Sequence, residues 1–325
     1  LIRAGLGYDY SDVGVITNIS TDHLGMDGVE TLEDMAKIKS LIGETVNPKG
    51  YTILNADDRY VAGLVSRMRS RIVFFSTAGD NIMVKRHLGA GGTAVFVKNK
   101  TVVAACGNKL SKLLPVKSIP CTFHGIAQHN VENALAAVAA CWVLGVSPDI
   151  IRDGLLGFSA GLIHNPGRMN IWEAGGIKFV VDYGHNAAGY KYVINAVQKF
   201  KHRRLIGVIG VPGDRQDERI SEVGKIAGAG FQRIFIKEDT DLRGREPGTT
   251  AGLLKQGALA SGLQEEQIKI IPSEPEAVRA AVGEAVPGDV VVIFYEKIGP
   301  VIDIINEYCH DTRQKEEKIS GKSAG

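Results

Sequence analysis

The chain has 325 residues, 44% of them hydrophobic, and is long enough to bury a substantial core in about two domains. Lysine and arginine number 38 against 36 acidic residues, so no overall field would recruit nucleic acid or an anionic membrane. No apolar run approaches the roughly 20 residues that span a bilayer, and the first residues do not read as a signal peptide. The four cysteines are scattered without a CxxC pair, which argues against a metal cluster or a disulfide scaffold and favours the cytoplasm.

Short apolar runs alternate with helical stretches in the first half of the chain. Strands are predicted at 13–16, 51–54 and 71–75, with helices beginning near Leu32 and Arg59. Residues 93–97 and 101–105 predict a β-hairpin turning at Asn99 and Lys100. A helix over 131–144 follows, with Asn130 as its N-cap and Gly145 as its stop. This alternation predicts an α/β fold.

The second half repeats the pattern after a predicted linker at 155–166. Strands are expected at 179–181, 205–209, 233–236, 268–271 and 290–294, separated by helices, which indicates a smaller, doubly wound α/β domain. Residues 313–325 are polar and predict a disordered tail. The expected domains are therefore 1–160 and 161–312, followed by the tail.

Asp22 and His23 lie in the loop that follows the strand at 13–16, where a divalent cation could bind. A packed loop histidine is the alternative. Thr31 and Asp34 form a capping-box-like start for a helix over 32–46. Lys39 falls inside the apolar stripe of that helix, whereas Lys37 lies nearly opposite, so Lys39 is either a functional amine or a lysine that snorkels to the rim.

Two polar clusters in the second half each follow an apolar run. They are NPGR at 165–168 and DYGHN at 182–186, and strand ends of this kind gather ligands in parallel sheets. Asp182 could instead cap the next helix, and Arg168 could be a surface cation.

Together these motifs resemble the Mur ligase family of ATP-dependent amide-forming enzymes. The resemblance rests on NISTDHLG at 18–25, AKIK at 36–39, HNVENALAA at 129–137, PGR at 166–168 and DYGHN at 182–186, where glycine replaces the alanine of the family. It implies a partial central domain followed by the family's C-terminal domain.

The resemblance also implies roles for individual residues, with ATP and Mg²⁺ as cofactors. His23 and Lys39 would organise the metal, the lysine as a carbamate. Asn130 is the first candidate and Asn133 the second for supporting the adenine. The three remaining residues are Arg168, which would contact ATP, and Asp182 and His185, which would help to close the C-terminal domain over the nucleotide.

Residues 237–245 (KEDTDLRGR) occupy the place where relatives recognise the incoming amino acid. A guanidinium prefers a carboxylate fork, for which Glu238, Asp239 and Asp241 are candidates, and Arg243 and Arg245 belong to the same predicted substrate loop. An exposed charged loop without a ligand is the alternative. The resemblance is to the branch of the family that adds arginine to side-chain carboxylates of a polyaspartate backbone.

The glycine-rich phosphate-binding loop of the family does not occur in this sequence. GKS at 321–323 lacks the preceding glycine and strand, and the ATP-grasp region of the arginine-adding branch is absent too. Because the chain starts with Leu1 inside what reads as a site loop, we expect a portion of a longer, homo-oligomeric enzyme that is inactive alone. A polyglutamate or cell-wall peptide ligase and a non-catalytic binding module are the alternatives.

Overall fold

The computed structural model describes residues 5–21, 24–25 and 28–322, with only the backbone described for 315–322. The chain divides into two compact units, an N-terminal unit over Leu1–Ser159 and a C-terminal unit over Ala160–Gly325. Both are α/β, which confirms the predicted fold class.

The N-terminal unit contains six strands and five α-helices in its described part. They are β1 (Ser11–Ile16), α1 (Leu32–Glu44), β2 (Val46–Asn55), α2 (Arg59–Ala62), β3 (Arg71–Ser76), α3 (Ile82–Gly89), β4 (Thr93–Lys98), β5 (Thr101–Cys106), β6 (Lys109–Pro115), α4 (Gln128–Val143) and α5 (Pro148–Gly157). The strands form one sheet in the order β1-β2-β3-β4-β5-β6. Strands β1 to β4 are parallel, and β5 and β6 continue the sheet in antiparallel pairs.

The predicted start of α1 is confirmed, but its predicted end at Val46 is wrong. Thr31 accepts a hydrogen bond from the backbone of Asp34, whose carboxylate accepts one from the backbone of Thr31, and together they make a capping box. The helix ends at Glu44, and Val46 already pairs with Ser11 of β1. Residues 47–50 form a β-bulge in β2 before pairing resumes between Val13 and Tyr51.

The predicted hairpin is confirmed, whereas two helix boundaries differ from expectation. Asn99 and Lys100 join β4 to β5 with φ of 50° and 60°, the left-handed values that a tight hairpin turn requires. Helix α4 begins at Gln128, so Asn130 lies inside its first turn rather than at the N-cap. Helix α5, capped by Ser147, extends to Gly157 and so covers the start of the expected linker.

The C-terminal unit contains β7 (Asn170–Ala174), β8 (Ile177–Asp182), α6 (Ala187–Val197), β9 (Leu205–Ile209), α7 (Asp217–Gly230), β10 (Arg233–Ile236), α8 (Thr249–Ala260), β11 (Ile268–Ile270), α9 (Glu274–Glu284), β12 (Val290–Phe294) and α10 (Ile298–Lys322). Its sheet has the order β11-β10-β9-β12-β8-β7. All neighbouring strands are parallel except β7, which pairs antiparallel with β8. The carboxyl ends of β8, β9, β10 and β12 therefore lie at one edge of the sheet.

The last helix covers most of the segment that the sequence predicts to be disordered. Helix α10 continues to Lys322, so residues 313–322 have helical backbone. Glutamine, glutamate and lysine, which dominate this segment, are good helix formers, and they extend a helix that Val301 and Ile305 anchor in the core. Within the described residues no helix combines the length and apolar character needed to cross a membrane.

Helices α7 and α8 approach each other through glycines. A Cβ atom on Gly224 would lie 2.2 Å from the carbonyl oxygen of Leu254, and one on Gly257 would lie 2.0 Å from that of Ser221. Backbone atoms cannot move aside as a flexible side chain can, so the close packing of these helices requires glycine at both positions.

We expect Gly224→Ala to lower the free energy of unfolding by about 2 kcal/mol, because the added methyl group overpacks the contact with α8. Gly252→Ala is the matched control: no heavy atom lies within 4 Å of its added Cβ, so this helical glycine should gain about 0.5–1 kcal/mol. Urea unfolding of both variants measures the difference. A Gly224→Ala protein as stable as the wild type would contradict the packing.

Candidate functional site

Lys39 lies beside the loop that follows β1. Its Nζ donates a hydrogen bond to the backbone oxygen of Asn18 at 3.0 Å, and the side chain is half-buried. Lys37 is exposed, and its Nζ lies 3.6 Å from Asp34 Oδ1. The helix phase therefore brings Lys39, and not Lys37, to the carboxyl edge of the sheet.

The predicted partner of Lys39, His23, lies outside the described residues, as does Asp22. Among the residues that the structure describes, no group of three His, Cys, Asp or Glu side chains could hold a metal ion. The amine of Lys39 fits a metal site only in a modified, anionic form, because ammonium groups do not coordinate cations. Its role in organising Mg²⁺ stays a prediction.

Three polar residues at and just after the end of β2 connect the loops at the same edge of the sheet. Asn55 donates a hydrogen bond to the backbone oxygen of Thr17 at 2.9 Å, and Asp58 accepts one from the backbone of Ile19 at 2.7 Å. Asp57 accepts hydrogen bonds from Ser76 and Thr77 at the end of β3. The loops after β1, β2 and β3 are therefore held in a fixed arrangement.

Glu132 on α4 is a titratable residue that the sequence did not single out. Burial raises its pKa to about 7, with the nearby carboxylates of Asp57 and Asp58 contributing in the same direction. The signal that could have found it is the NADD sequence at 55–58, which places two carboxylates at a strand end that α4 covers.

The two adenine candidates have different environments on α4. Asn130 is buried, and its amide nitrogen donates a hydrogen bond to the backbone oxygen of Cys121 at 2.7 Å. Asn133 is exposed on the same helix. The amide donor of Asn130 is thus used to fix the start of α4, and Asn133 is the candidate with an accessible side chain.

In the C-terminal unit, the NPGR and DYGHN clusters lie side by side. The backbone of Met169 donates a hydrogen bond to Asp182 Oδ2 at 2.9 Å, and the backbone of Tyr183 donates one to the carbonyl of Gly167 at 2.9 Å. Gly167 has a φ of 72°, and a Cβ atom there would lie 1.9 Å from the hydroxyl of Tyr295, so only glycine fits. The two motifs are one structural feature.

Asp182 does not cap the following helix, because Asn186 does so by accepting a hydrogen bond from Gly189 at 2.8 Å. Asp182 is instead buried between the two motifs. Burial raises its pKa to about 6, although the hydrogen bond from Met169 and the charge of Arg168 favour the carboxylate.

An aromatic cluster lies on one side of the exposed guanidinium of Arg168. This guanidinium lies 5.0 Å from the ring centre of Tyr183, which in turn lies 5.0 Å from the ring of His185 and 5.4 Å from that of Tyr295. His185 Nδ1 is 3.0 Å from the backbone oxygen of Tyr183. Three predicted site residues, Arg168, Asp182 and His185, therefore meet at the carboxyl end of β8.

The glycine that replaces the alanine of the family has a local explanation. A Cβ atom on Gly184 would lie 2.7 Å from two ring carbons of Phe294. Phe294 ends β12 and stacks on Tyr190 with ring centres 3.7 Å apart. Packing of that aromatic pair leaves no room for a methyl group at position 184.

A small cleft of about 60 Å³, partly open to solvent, lies at the carboxyl ends of β8, β9, β10 and β12. Residues from all four strand ends or the loops after them line it. They are Tyr183, Gly184, His185, Gly210, Pro212, Lys237, Asp239, Asp241, Arg243, Tyr295 and Glu296. Open α/β sheets bind ligands at this edge.

Lys237 forms the floor of the cleft and is only 1% exposed. Its Nζ lies 2.7 Å from Asp239 and 2.9 Å from Glu274, so the buried ammonium is paired twice. Gly210 makes room for it, since a Cβ atom there would lie 2.5 Å from Lys237 Cε. The lysine directly after the apolar β10 was the sequence signal for this feature.

Of the five charged residues predicted to recognise the amino acid, three line the cleft: Asp239, Asp241 and Arg243. Glu238 and Arg245 do not. Glu238 is buried and accepts hydrogen bonds from the backbones of Gly248 and Ala251, so it caps α8.

The arginines of the loop are held by other loops. Arg245 donates hydrogen bonds to the carbonyls of Gly213 and Arg215 at 2.5 Å each, and it pairs with Asp217 at 2.7 Å. Arg243 pairs with Asp214 at 2.7 Å. Arg245 is thus a structural link, and Arg243 reaches the cleft with its charge already matched.

Comparison with protein families identifies the class to which this chain belongs. The Mur ligase middle domain matches residues 8–141, and the Mur ligase, glutamate ligase domain matches residues 167–294. These two matches span most of the chain, so it belongs to the Mur ligase family.

Among curated relatives, the chain is 39% identical to cyanophycin synthetase of Geminocystis herdmanii (strain PCC 6308) over 308 residues, which is 95% of this chain and 35% of the relative. It is 38% identical to cyanophycin synthetase of Synechocystis sp. over 305 residues. A diaminopimelate-adding ligase of Geobacter metallireducens is 29% identical and is matched over 55% of its length. The chain thus spans about a third of the length of the cyanophycin synthetases.

Solved structures share the fold. MurF of Thermotoga maritima, in complex with ADP, has a TM-score of 0.62 at 18% identity, covering 93% of this chain and 63% of that one. The folylpolyglutamate synthase/dihydrofolate synthase of Yersinia pestis has a TM-score of 0.63 at 17% identity, covering 92% and 62%.

The buried carboxyl of Asp182 predicts a pH dependence of stability. Its pKa is about 6 in the folded protein, against an ordinary value of 3.8 for an aspartate, so the folded state holds the proton more tightly than the unfolded chain. This contribution to stability is complete below pH 3.8 and is lost as the pH rises through 6. We expect the wild type to lose up to about 3 kcal/mol relative to Asp182→Asn across this window.

Chemical unfolding at a series of pH values tests this expectation. Asp303→Asn, on the surface of α10, is the control and should keep the wild-type pH dependence. Parallel curves for the wild type and Asp182→Asn would mean that the carboxyl of Asp182 titrates as an ordinary aspartate does.

Proposed function

We propose that this chain is the Mur-ligase portion of an ATP-dependent acid–amino acid ligase that adds arginine to side-chain carboxylates of a polyaspartate backbone. The observation that carries the proposal is the cleft of the C-terminal unit. Three carboxylates line it, from Asp239, Asp241 and Glu296, against the two cations of Lys237 and Arg243, both already ion-paired. A cleft with excess negative charge favours a cationic ligand.

The proposed reaction has two steps. The carboxylate of an aspartate side chain takes the γ-phosphoryl group of ATP, which gives an acyl phosphate and ADP. The α-amine of arginine then attacks the acyl carbon, phosphate leaves, the amine loses a proton, and an amide bond is formed. The main protein contribution to such chemistry is the neutralisation of charge on the transferring phosphoryl group.

The proposed Mg-ATP ligands are the residues that the family resemblance indicates. Lys39 and His23 would organise Mg²⁺, and Asn133, supported by the buried Asn130, would contact the adenine. Arg168 would contact the phosphates, since its guanidinium is exposed and a bidentate donor. Asp182 and His185 would keep the Arg168 loop in place, through the hydrogen bond from Met169 and the contact with Tyr183.

A cell-wall peptide ligase is the second candidate, because the chain is also similar to diaminopimelate-adding ligases. The far end of diaminopimelate carries a carboxylate beside an ammonium group, where arginine carries a guanidinium and no carboxylate. Recognition of that carboxylate needs an available cation, and both cleft cations are paired with carboxylates. The charge of the cleft therefore favours arginine.

Lys39→Ala is expected to abolish ATP-dependent incorporation of arginine into a β-aspartyl primer while leaving the fold intact, because the side chain that would carry the Mg²⁺-organising carbamate is lost. We would measure it in a chimera, in which this chain replaces the matching segment of the Geminocystis herdmanii relative. The 325-residue chain assayed alone tests the expectation that it is inactive by itself.

Lys37→Ala is the matched control, since Lys37 lies on the same helix but is exposed. It should retain incorporation. Undiminished activity of Lys39→Ala would overturn the assignment of Lys39, and a chimera that incorporates lysine or diaminopimelate but not arginine would overturn the proposed substrate.

A further inference from the structure

The three carboxylates of the cleft differ in the ion pairs and hydrogen bonds that they form with other protein groups. Asp239 Oδ1 lies 2.7 Å from the Lys237 ammonium, so this carboxylate has a buried counter-ion. Asp241 Oδ1 accepts a hydrogen bond from the backbone of Arg243 at 2.9 Å and lies on the exposed loop. Glu296 comes from a different element, the turn between β12 and α10, and has no ion pair in the described part of the chain.

The side chain of Glu296 is oriented by one of its two oxygens. Oε2 accepts hydrogen bonds from the backbone and the hydroxyl of Thr240, at 2.8 and 3.1 Å. Both contacts end on the same oxygen and leave Oε1 for a ligand. A carboxylate fixed in this way loses little side-chain entropy on binding, which is the advantage of a preorganised site.

The backbone of Glu296 is fixed from below. Glu274 accepts hydrogen bonds from the backbones of Glu296 and Lys297, at 2.6 and 3.0 Å, and Glu274 itself pairs with the buried Lys237 at 2.9 Å. The turn that carries Glu296 is therefore anchored to the floor of the cleft. The carboxylate of Asp241, by contrast, accepts a hydrogen bond from the backbone of Arg243, which belongs to the same loop. This local contact does not anchor Asp241 to the floor of the cleft.

We propose that Glu296 is the specificity-determining carboxylate of this cleft and receives the guanidinium of the incoming arginine. The proposal rests on the proposed function and adds to it a residue outside the loop at 237–245. Of the three lining carboxylates, Asp239 is ion-paired and Asp241 lies on an exposed loop. Glu296 has no ion pair within the described residues, so its charge is the one best placed to match the positive charge of the ligand. Asp239 and Asp241 line the same cleft and make its electrostatic potential more negative, which favours a cationic ligand.

The test is calorimetric binding of arginine and of citrulline to the 325-residue chain. Citrulline has nearly the shape of arginine but no charge on its side chain. Glu296→Gln keeps the size and an oxygen that can accept from Thr240, and it removes the charge. We expect it to weaken arginine binding about 10- to 100-fold, leave citrulline binding nearly unchanged, and so collapse the preference for arginine.

Two further variants separate charge recognition from folding. Glu296→Asp keeps the charge and should retain part of the preference for arginine over citrulline. Glu276→Gln, on α9 and outside the cleft, should bind both ligands as the wild type does. Thermal unfolding of each variant reports whether the fold is intact. A purely structural role of Glu296 would weaken both ligands equally.

The outcomes distinguish the inference from the function on which it rests. A wild type that prefers arginine and a Glu296→Gln variant with the same preference would overturn the role of Glu296 and leave the arginine assignment standing. A wild type that binds neither ligand, or binds them equally, would overturn both.

Discussion

The buried ion pair network of Lys237 is the constraint on which the candidate amino-acid cleft depends. An ammonium that is 1% exposed persists only if it is paired, and Asp239 and Glu274 supply two carboxylates at 2.7 and 2.9 Å. Such a network contributes little net stability, since desolvation offsets the attraction, but removing one member leaves a buried charge unmatched. Its effect is to fix neighbouring strand ends relative to one another. Gly210, by lacking a Cβ atom, makes the site for the lysine possible.

Both units place polar side chains at the carboxyl ends of parallel strands, but they use them differently. In the N-terminal unit, the side chains of Asn55, Asp57 and Asp58 form hydrogen bonds that join neighbouring loops. In the C-terminal unit, Asp182 joins two motifs in the same way, whereas Glu296 keeps an oxygen directed to no protein donor in the described residues. A carboxylate at a strand end is thus a candidate for ligand binding only if an oxygen is left over after its hydrogen bonds to the protein are considered.

Hydrophobic periodicity was sufficient to predict the fold class and most parallel strands, because buried strands such as β9 and β12 are continuous apolar runs. The capping box of Thr31 is equally local and was predicted correctly. Tertiary hydrogen bonds are not local, and they decide the roles of single residues: Glu238 caps a helix from ten residues away, and Asn130 bonds to Cys121. Glu296 was missed because it enters the cleft from a turn 56 residues beyond its partner Thr240 in the predicted loop.

The most direct test of the account is a crystal structure of the chain with arginine bound. We predict the guanidinium in the cleft of the C-terminal unit, within hydrogen-bond distance of Glu296 Oε1, with the α-amine directed away from Lys237. Arginine bound elsewhere, or bound with its α-carboxylate against Arg243 and its guanidinium in solvent, would contradict the assignment of this cleft as the site that selects a cationic amino acid.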